Sequence, residues 1–566
     1  MSGRVRTVSR STAGVGPAST TGKLIAIALL ILVLVGGAVA QSSSSTQANP
    51  NDDPVLRAML AEMERSKTKL KLEGMQLPYY IDYRVMELDD FNAEAIFGAL
   101  RNQARQHFRL LRVVVRVGDY KQDSYYGPGE GTLELAPLDN DELALRHQLW
   151  LATDRAYKAA AEALTAKQAQ LKQFSVDQPV DDFAHAPVVQ SIGERALLNL
   201  DPQPWLKMLE EASALYRGDP QIESLSTSVR FQAVNRYFVN SEGTVVRSGQ
   251  GVYVTFISGF TQAGDGMRLD RSHGDAVTET RDLPGKEKFL SQTRGLLGTL
   301  KALREAPVIE EDYRGPVLLS GDAAATVVGT LVGPNVLGKP GPLGQNVRTT
   351  GAWANSYKSR VLPDFLSVVD DPTISKYEGE SLLGNYQVDD EGVKATRVSV
   401  VEKGLLVSYL MGRQPIRDFP VSNGHGRGPA VGAPAASVGN LIVQSSEPLS
   451  DEELKKKLVE ICKQRELPYG YLVETLGPRT APRLLYRVWA KDGHQELVRG
   501  AIFGDLDARS LRNNVIAAGN KLDVEDRTEP VPQSILSPAL LFDELELKRA
   551  DASKEKLPDY PAPATH

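Results

Sequence analysis

The sequence predicts an α+β fold with two domains: an N-terminal mixed α/β-sheet domain over residues 55–305 and a C-terminal β-rich, barrel-like domain over residues 306–548. The first half alternates long helical patterns with strand-like runs. The second half is rich in Gly and Pro, has short apolar runs and keeps few helical patterns. The stretch "REAPVIEEDYRGP", which contains two prolines, lies between these two halves and predicts the domain boundary near residue 306.

Helical spacing dominates the N-terminal half. The segment "PVLRAMLAEMERSKTKLKL" places Leu56, Met59, Leu60 and Met63 on one helical face. Three further helices are predicted from "ELALRHQLWLATDRAYKAAAEALTAKQAQLKQF", "DPQPWLKMLEEASALYRG" and "GKEKFLSQTRGLLGTLKAL". Between them, "YYIDYRVMELDDFNAEAIFGAL" and "RLLRVVVRVGDYKQDSY" alternate like strands, and "NSEG" joins two β-rich runs as a tight hairpin.

Short strands dominate the C-terminal half. "VLLSGDAAATVVGTLVGPN" predicts an apolar strand followed by a helix built of Ala, Val, Thr and Gly, which we expect to be a packed core or interface element. "EGVKATRVSVVEKGLLVSYLMG" predicts two strands joined at residues 402–404, and "PRLLYRVWAKDGHQELVRGAIFG" predicts a hairpin around Asp492 and Gly493. Helices are predicted from "SDEELKKKLVEICKQREL" and "ARSLRNNVIAAG".

The N-terminus has the layout of a secretory signal peptide over residues 1–40. A basic stretch precedes the apolar "LIAIALLILVLV", and "GGAVA" supplies small residues, which predicts cleavage between Ala40 and Gln41. We therefore expect an exported protein, periplasmic or extracellular; the alternative is a membrane anchor formed by residues 24–40 if the segment stays uncleaved. Two more segments are predicted to lie outside the folded domains: a polar linker at residues 41–54 and a Pro-rich disordered tail at residues 549–566.

Charge and cysteine content exclude several functions. The 566 residues include 65 basic and 71 acidic side chains, well mixed along the chain, so that no basic face for nucleic acid is predicted. Cys462 is the single cysteine, which rules out an internal disulfide and a Cys-rich metal site. Its apolar helical spacing predicts a buried residue and not a nucleophile.

Local sequence supplies no recognisable cofactor or metal motif. The seven histidines include no pair at helical metal-binding spacing, and the glycines of "SNGHGRGPAVGAP" lack the strand–helix frame of a phosphate site. We therefore predict no cofactor and no metal.

Six polar residues of the second half remain as candidate cleft residues: Asp389, Asp390, Glu391, Asn423, His425 and Arg427. For the three acids, residue types favour a solvated turn, and the alternative is a carboxylate cluster that serves a cation or acts as a general base. A meeting of His425 with Asp389 or Asp390 in space is a further possibility for hydrolysis.

The order of several segments resembles the C-terminal half of the TldD/PmbA family of metallopeptidases. The segments are "GPVLLSGDAAATVVGTLVG", "VDDEGVKATRVSVVEKGLLVSYL", "NGHGRG" with "GAPAASVGNLIVQ", "SDEELKKKLVE" and "YRVWAKDGHQELVRGAIFGDLDARSLRNNVIAAGN". "NRYFVNSEGT" is similar to a hairpin of the family's N-terminal half, and the resemblance covers residues 225–548. It implies an α+β domain followed by a β-rich domain, assembling as dimers around a protected interior.

In the active branch of that family, the helix after the "GPV" strand carries H-E-x-x-x-H, in which two His residues bind zinc and the Glu is the general base, while a late Cys completes the site. Aligned without gaps, those three positions are Gly329, Thr330 and Pro334 here, and the late region "EPVPQSILSPALL" contains no Cys. The resemblance is closer to the PmbA-like branch, which lacks the zinc motif and pairs with the active subunit.

Three functions stay open at this point. The first is a catalytically silent subunit that encloses a peptide or unfolded polypeptide, as a homodimer or as a heterodimer with a zinc-bearing paralogue. The second is a hydrolase with a different, non-zinc site. The third is an extracytoplasmic scaffold or binding protein.

Overall fold

The computed structural model describes residues 49–174, 180–345 and 347–550. The expected signal peptide, its cleavage site and most of the linker and of the C-terminal tail lie outside the described residues, so those expectations stay predictions. Among the described helices, none is both long and apolar enough to cross a membrane.

The helices fall mainly where apolar residues recur at helical spacing. Their bounds are α1 (Pro54–Lys69), α2 (Glu142–Leu171), α3 (Gln203–Ser213), α4 (Lys286–Glu305), α5 (Gly321–Leu331), α6 (Asp451–Gln464) and α7 (Ala508–Asn514). The prediction for "ARSLRNNVIAAG" is wrong in its second part, because the helix ends at Asn514 and Val515 begins a strand. The β-branched Val515 and Ile516 suit that strand.

The strands of the first half are β1 (Pro78–Ile96), β2 (Ala99–Val117), β3 (Thr132–Ala136), β4 (Gln190–Ile192), β5 (Ser224–Asn240), β6 (Val245–Gln262) and β7 (Arg268–Val277). Within the described residues they form one sheet in the order β3-β2-β1-β5-β6-β4, and β7 also pairs with β6. The predicted "NSEG" hairpin is confirmed, since β5 and β6 pair in antiparallel register on either side of it.

The strands of the second half are β8 (Tyr313–Leu319), β9 (Leu337–Gly338), β10 (Leu366–Asp370), β11 (Lys376–Tyr377), β12 (Glu380–Ser381), β13 (Val398–Glu402), β14 (Leu405–Leu406), β15 (Leu410–Met411), β16 (Gly426–Arg427), β17 (Ala435–Ala436), β18 (Asn440–Ser445), β19 (Pro448–Leu449), β20 (Tyr469–Leu476), β21 (Pro482–Trp489), β22 (Gln495–Val498), β23 (Ala501–Phe503), β24 (Val515–Arg527) and β25 (Gln533–Arg549). The hairpins predicted at residues 402–404 and at Asp492-Gly493 are confirmed.

The main sheet of the second half is open. Its path runs β14-β13-β10-β18-β25-β8-β20-β21-β22, with β19, β23 and β24 attached beside it. No closed barrel is found among the described residues, so the barrel-like part of the fold expectation is not supported, whereas the mixed helix–sheet class with a sheet-rich second half is confirmed.

The helices of the first half cover one face of its sheet. Alternate residues such as Tyr83, Leu111 and Tyr237 point to that face and pack with α1 and α2. The opposite face meets the second half of the chain: Val252, Val254 and Ala276 form one buried cluster with Leu383. A second apolar cluster joins residues 263–303 to Leu484. Because apolar packing crosses residue 306, the division into two domains stays a prediction.

Candidate functional site

Helix α5 lies in the core of the second half. Ser320 caps it by accepting a hydrogen bond from the Ala323 N–H at 3.1 Å, and residues 321–329 are buried. Small side chains on this helix let β24, β25 and β20 approach closely, and Ala323, Val327 and Val328 belong to the main apolar cluster. The expectation of a packed core element is correct for these turns of the helix.

The three positions that correspond to the zinc motif lie at the end of that helix and beyond it. Gly329 is buried, whereas Thr330 and Pro334 are exposed, so the tightly packed part of the helix stops at Gly329. A β-carbon at position 329 would lie 2.5 Å from Nη2 of Arg527. The guanidinium of Arg527 therefore occupies the space into which a side chain at position 329 would extend.

These residues do not fit a zinc ion. Gly329, Thr330 and Pro334 offer neither imidazole nor carboxylate, and the Arg527 guanidinium lies 3.5 Å from Oγ1 of Thr330. A metal cation here would meet this positive charge, and the neighbouring Glu525 carboxylate is already paired with Arg527 at 3.1 Å. Over the described ranges as a whole, no group of three or more His, Cys, Asp or Glu side chains is placed to hold a metal ion.

Cys462 lies on α6, away from this helix end, and is buried as its spacing predicts. Burial raises the pKa of its thiol to about 11. A thiol with so high a pKa is a poor nucleophile and a poor metal ligand at neutral pH, because the thiolate is the reactive form. The structure therefore agrees with the reading of Cys462 as a core residue.

Asp322, in the first turn of α5, is a buried acid that sequence reasoning did not single out. Its side chain is 4% exposed, and neither carboxylate oxygen has a hydrogen-bond partner among the described residues. Burial, followed by the nearby carboxylates of Glu525 and Asp523, holds the pKa of Asp322 well above its usual range, and Arg271 opposes this. Its surroundings thus favour the neutral form of Asp322 over the charged form.

This burial predicts a pH-dependent stability. Because the folded protein holds the Asp322 proton at pH values where the unfolded chain has lost it, above about pH 4, this group makes the fold less stable as pH rises toward its folded pKa. Asp322→Asn keeps the shape of the side chain but does not ionise. The free energy of unfolding of the variant, relative to that of wild type, should therefore be higher at pH 8 than at pH 5. Urea denaturation at pH 5 and pH 8 measures this, and the same stability difference between variant and wild type at the two pH values would contradict the assignment.

The acidic turn at residues 389–391 is largely buried, so the solvated turn expected from residue types is wrong. Asp389 and Glu391 are 3% and 6% exposed. Tertiary packing is the reason: Gly392 has φ +78°, and a β-carbon there would lie 2.4 Å from the Phe238 ring of the first half's sheet. The turn is pressed against that sheet and loses its solvent.

Asp389 acts as an organiser of loop backbone. Its carboxylate accepts hydrogen bonds from the backbone N–H groups of Glu391 at 2.9 Å, Val393 at 2.8 Å and Gly426 at 2.8 Å. Burial and the neighbouring Glu391 nevertheless raise the pKa of Asp389 to about 8. Burial likewise raises the pKa of Glu391, whose Oε2 accepts from the backbone N–H of Arg413 at 2.6 Å.

Arg413 joins this loop to the first half of the chain, and no motif of the sequence points to it. Its guanidinium is fully buried and contacts both carboxylate oxygens of Glu242, at 2.7 and 2.9 Å. Nε and Nη2 also donate to the carbonyl oxygen of Ala184, at 3.0 and 2.7 Å. Such a bidentate pair with further hydrogen bonds is a strong structural contact.

His425 does not pair with Asp389 or Asp390. Its Nε2 lies 3.1 Å from Oδ1 of Asp370, and its Nδ1 lies 3.0 Å from Oδ1 of Asn423. The His425 and Asp370 side chains are fully buried, so water or a peptide cannot reach them in this arrangement. The hydrolytic pair considered from the sequence is therefore not formed, and Asp370 is the partner that sequence reasoning missed.

Arg427 and Asp390 complete the set of candidate cleft residues. Arg427 Nε donates to Oδ2 of Asp390 at 3.1 Å, and its guanidinium lies over the Tyr386 ring at 4.2 Å. The structure thus brings all six candidates into one neighbourhood, from residue 389 to residue 427. Their contacts are mostly with one another and with backbone, which makes them chiefly a scaffold for the loop.

Comparison with known proteins agrees with the fold of the second half of the chain. Residues 312–549 match the family model described as the PmbA/TldA metallopeptidase C-terminal domain. The second half is therefore metallopeptidase-like in class. Residues 312–549 therefore form a domain of the TldD/PmbA type, as the order of the motifs in this part of the chain indicates.

Two curated archaeal relatives are similar over shorter stretches. A metalloprotease of Archaeoglobus fulgidus is 26% identical over 165 residues, which are 29% of this chain and 34% of that protein. A metalloprotease of Methanocaldococcus jannaschii is 31% identical over 96 residues, 17% of this chain and 20% of that protein. The aligned parts thus span about a third or less of either relative.

Solved structures share the fold over most of the chain. TldE from Thermococcus kodakarensis has a TM-score of 0.59 and 14% identity, covering 87% of this chain and 100% of that one. A protein of Thermotoga maritima described as a modulator of DNA gyrase has a TM-score of 0.58 and 16% identity, covering 87% and 99%. At such low identity, the likeness concerns the fold alone.

Proposed function

We propose that this protein is an exported, non-catalytic member of the TldD/PmbA family that holds or encloses a peptide or an unfolded polypeptide. It acts as a homodimer or together with a zinc-bearing paralogue, as the PmbA-like branch does. The observation that carries the proposal is the Arg527 guanidinium beside Gly329, where the family's zinc helix would place its first ligand. The helix that carries zinc ligands in the active branch of the family is kept, whereas the ligands are absent and a guanidinium lies beside the first ligand position.

The hydrolase alternative has little support in the side-chain geometry. A non-zinc site needs an accessible nucleophile or water beside a base. The buried contacts of His425 with Asp370 and Asn423 offer no such access. The scaffold alternative shares the silent site with our proposal and differs from it only in binding no peptide.

The proposal is tested on the full chain expressed with its own N-terminus. N-terminal sequencing of the purified protein should start at or near Gln41. Zinc measured by mass spectrometry should be far below one per chain, and peptidase activity on an unfolded polypeptide should be absent with and without chelator. Mixing with a zinc-bearing family member should give a complex on size exclusion, or the chain alone should elute as a dimer.

Three outcomes would overturn it. One zinc per chain with chelator-sensitive cleavage would show that the site is active. Chelator-resistant cleavage that His425→Gln abolishes would favour the hydrolase. Failure to bind any unfolded polypeptide, alone or mixed with a zinc-bearing family member, would favour the scaffold.

A further inference from the structure

Three arginines converge on the face of the first sheet that is turned away from its helices. Arg84 on β1 and Arg112 on β2 stand directly opposite each other in the antiparallel register. Arg236 on β5 is opposite Met86 and therefore lies diagonally across from Arg84 on the same face. Like charges placed directly opposite one another destabilise a sheet unless something compensates them.

Several nitrogens of these guanidinium groups are left without acceptors. Nε and Nη1 of Arg84, and Nε of both Arg112 and Arg236, are buried and have no hydrogen-bond partner among the described residues. Nη1 of Arg427, which is 4% exposed, is in the same state. Buried polar groups in native proteins are nearly always hydrogen-bonded, so a cluster of open donors indicates an acceptor that binds from outside.

The carboxylates around these donors are mostly engaged elsewhere. Asp82 accepts from Arg84 Nη2 at 3.2 Å, and Asp390 pairs with Arg427 at 3.1 Å and with Arg236 at 3.8 Å. The nearby carboxylates of Asp389 and Glu391 accept hydrogen bonds from backbone N–H groups instead. The open guanidinium donors are therefore available to an anion.

A cleft of about 620 Å³, part of it open to solvent, lies above the arginines. Its floor is the sheet face, and its roof is formed by residues 388–390 and 428–434. The walls between the charges are apolar and include Met86, Leu110, Leu133 and Phe238. Such a mixture of apolar walls with a few convergent polar groups is typical of small-ligand sites.

We propose that this cleft binds a carboxylate that carries an apolar substituent, with the carboxylate on Arg84, Arg112 and Arg236. Arginine forks match carboxylates in pairs of parallel hydrogen bonds, and the apolar walls favour an aliphatic or aromatic body over a bare ion. Two sources share this chemistry: a free small acid, and the C-terminal residue of a peptide. The peptide source rests on the proposed function, whereas binding of the free acid does not depend on it.

Two probes distinguish these sources. N-acetyl-leucine represents the free acid, and its binding is measured by calorimetry on the full chain. A fluorescent unstructured peptide ending in Leu is compared, by polarisation, with the same peptide carrying a C-terminal amide. We expect N-acetyl-leucine to bind, and the amidated peptide to bind on the order of tenfold or more weakly than the free-acid peptide, because it lacks the charge-assisted bonds.

Matched variants test the residues. Arg236→Met should weaken N-acetyl-leucine on the order of tenfold or more. Arg230→Met is the control: it removes an arginine of the same strand that is 44% exposed, pairs with Asp90 and does not line the cleft, and it should leave binding unchanged. Circular dichroism verifies that Arg236→Met keeps the wild-type fold, because this variant also loses the 3.8 Å ion pair with Asp390.

No binding of N-acetyl-leucine at millimolar concentration, or equal losses in the two variants, would overturn the proposal. Displacement of N-acetyl-leucine by acetate at equal concentration would contradict the apolar part of it. If N-acetyl-leucine binds while both peptides bind alike, the site takes free acids only, and the peptide-holding role then has to lie elsewhere on the molecule.

Discussion

Replacing Arg413 with Ala should lower the free energy of unfolding by about 3–5 kcal/mol, the range for breaking a buried ion pair by removing one partner. The guanidinium is fully buried, and its loss leaves the Glu242 carboxylate without its cationic partner and the Ala184 carbonyl without the Arg413 donors. Tyr120 and Asn240 still donate to Glu242 but carry no charge. It also removes the cation that lies 4.0 Å over the Phe183 ring. Urea denaturation followed by circular dichroism measures the change.

The control for Arg413→Ala is Arg281→Ala. Arg281 pairs with Glu279, but the two side chains are 71% and 46% exposed, so water replaces the contact. Loss of such a pair should change stability by no more than about 1 kcal/mol. Equal losses in the two variants would show that the buried contact between the halves contributes nothing specific.

Replacing Asp370 with Ala should lower the free energy of unfolding by about 2–6 kcal/mol. Its buried carboxylate accepts from the backbone N–H of Gly439 at 3.0 Å and lies 3.1 Å from Nε2 of His425. Both groups would be left buried and unsatisfied, at about 1–3 kcal/mol each. Asp370→Asn keeps an acceptor oxygen and should cost less, and denaturation in urea ranks the two variants.

Asp543→Ala serves as the comparison for Asp370→Ala. Asp543 is 40% exposed and pairs with Arg465 at the surface, so its removal should stay within about 1 kcal/mol. Were Asp370→Ala as mild as Asp543→Ala, the His425–Asp370 contact would not support the loop, and His425 would be free to be assigned another role.

Much of the fold could be predicted because its signals are local. The apolar spacing in α1 and the turn residues between β5 and β6 lie within one segment each, and local physical chemistry decides them. The small side chains of α5 likewise indicate close packing, although they could not show that Thr330 and Pro334 lie beyond the packed part. That limit depends on how β24 places Arg527.

The candidate site was harder to predict because its contacts are long in sequence. Asp370 meets His425 only after β10 and the loop at residue 425 have come together, and Arg413 meets Glu242 across 171 positions. The acids at 389–391 have the composition of a solvated turn, and only contact with the first half's sheet buries them. Arg84 and Arg236 become neighbours through strand register, which composition does not reveal.

Strand β25 has a consequence for the order in which the protein forms. It lies between β18 and β8 in the large sheet, and it pairs with β24 and β23 as well. Until residues 533–549 have left the ribosome, β8 and β18 have no neighbour between them, and their edges stay unpaired. The second half therefore completes its fold after synthesis of this strand and not progressively during translation. Unpaired strand edges are sites of aggregation, so the nascent chain is most open to wrong strand pairing during that interval.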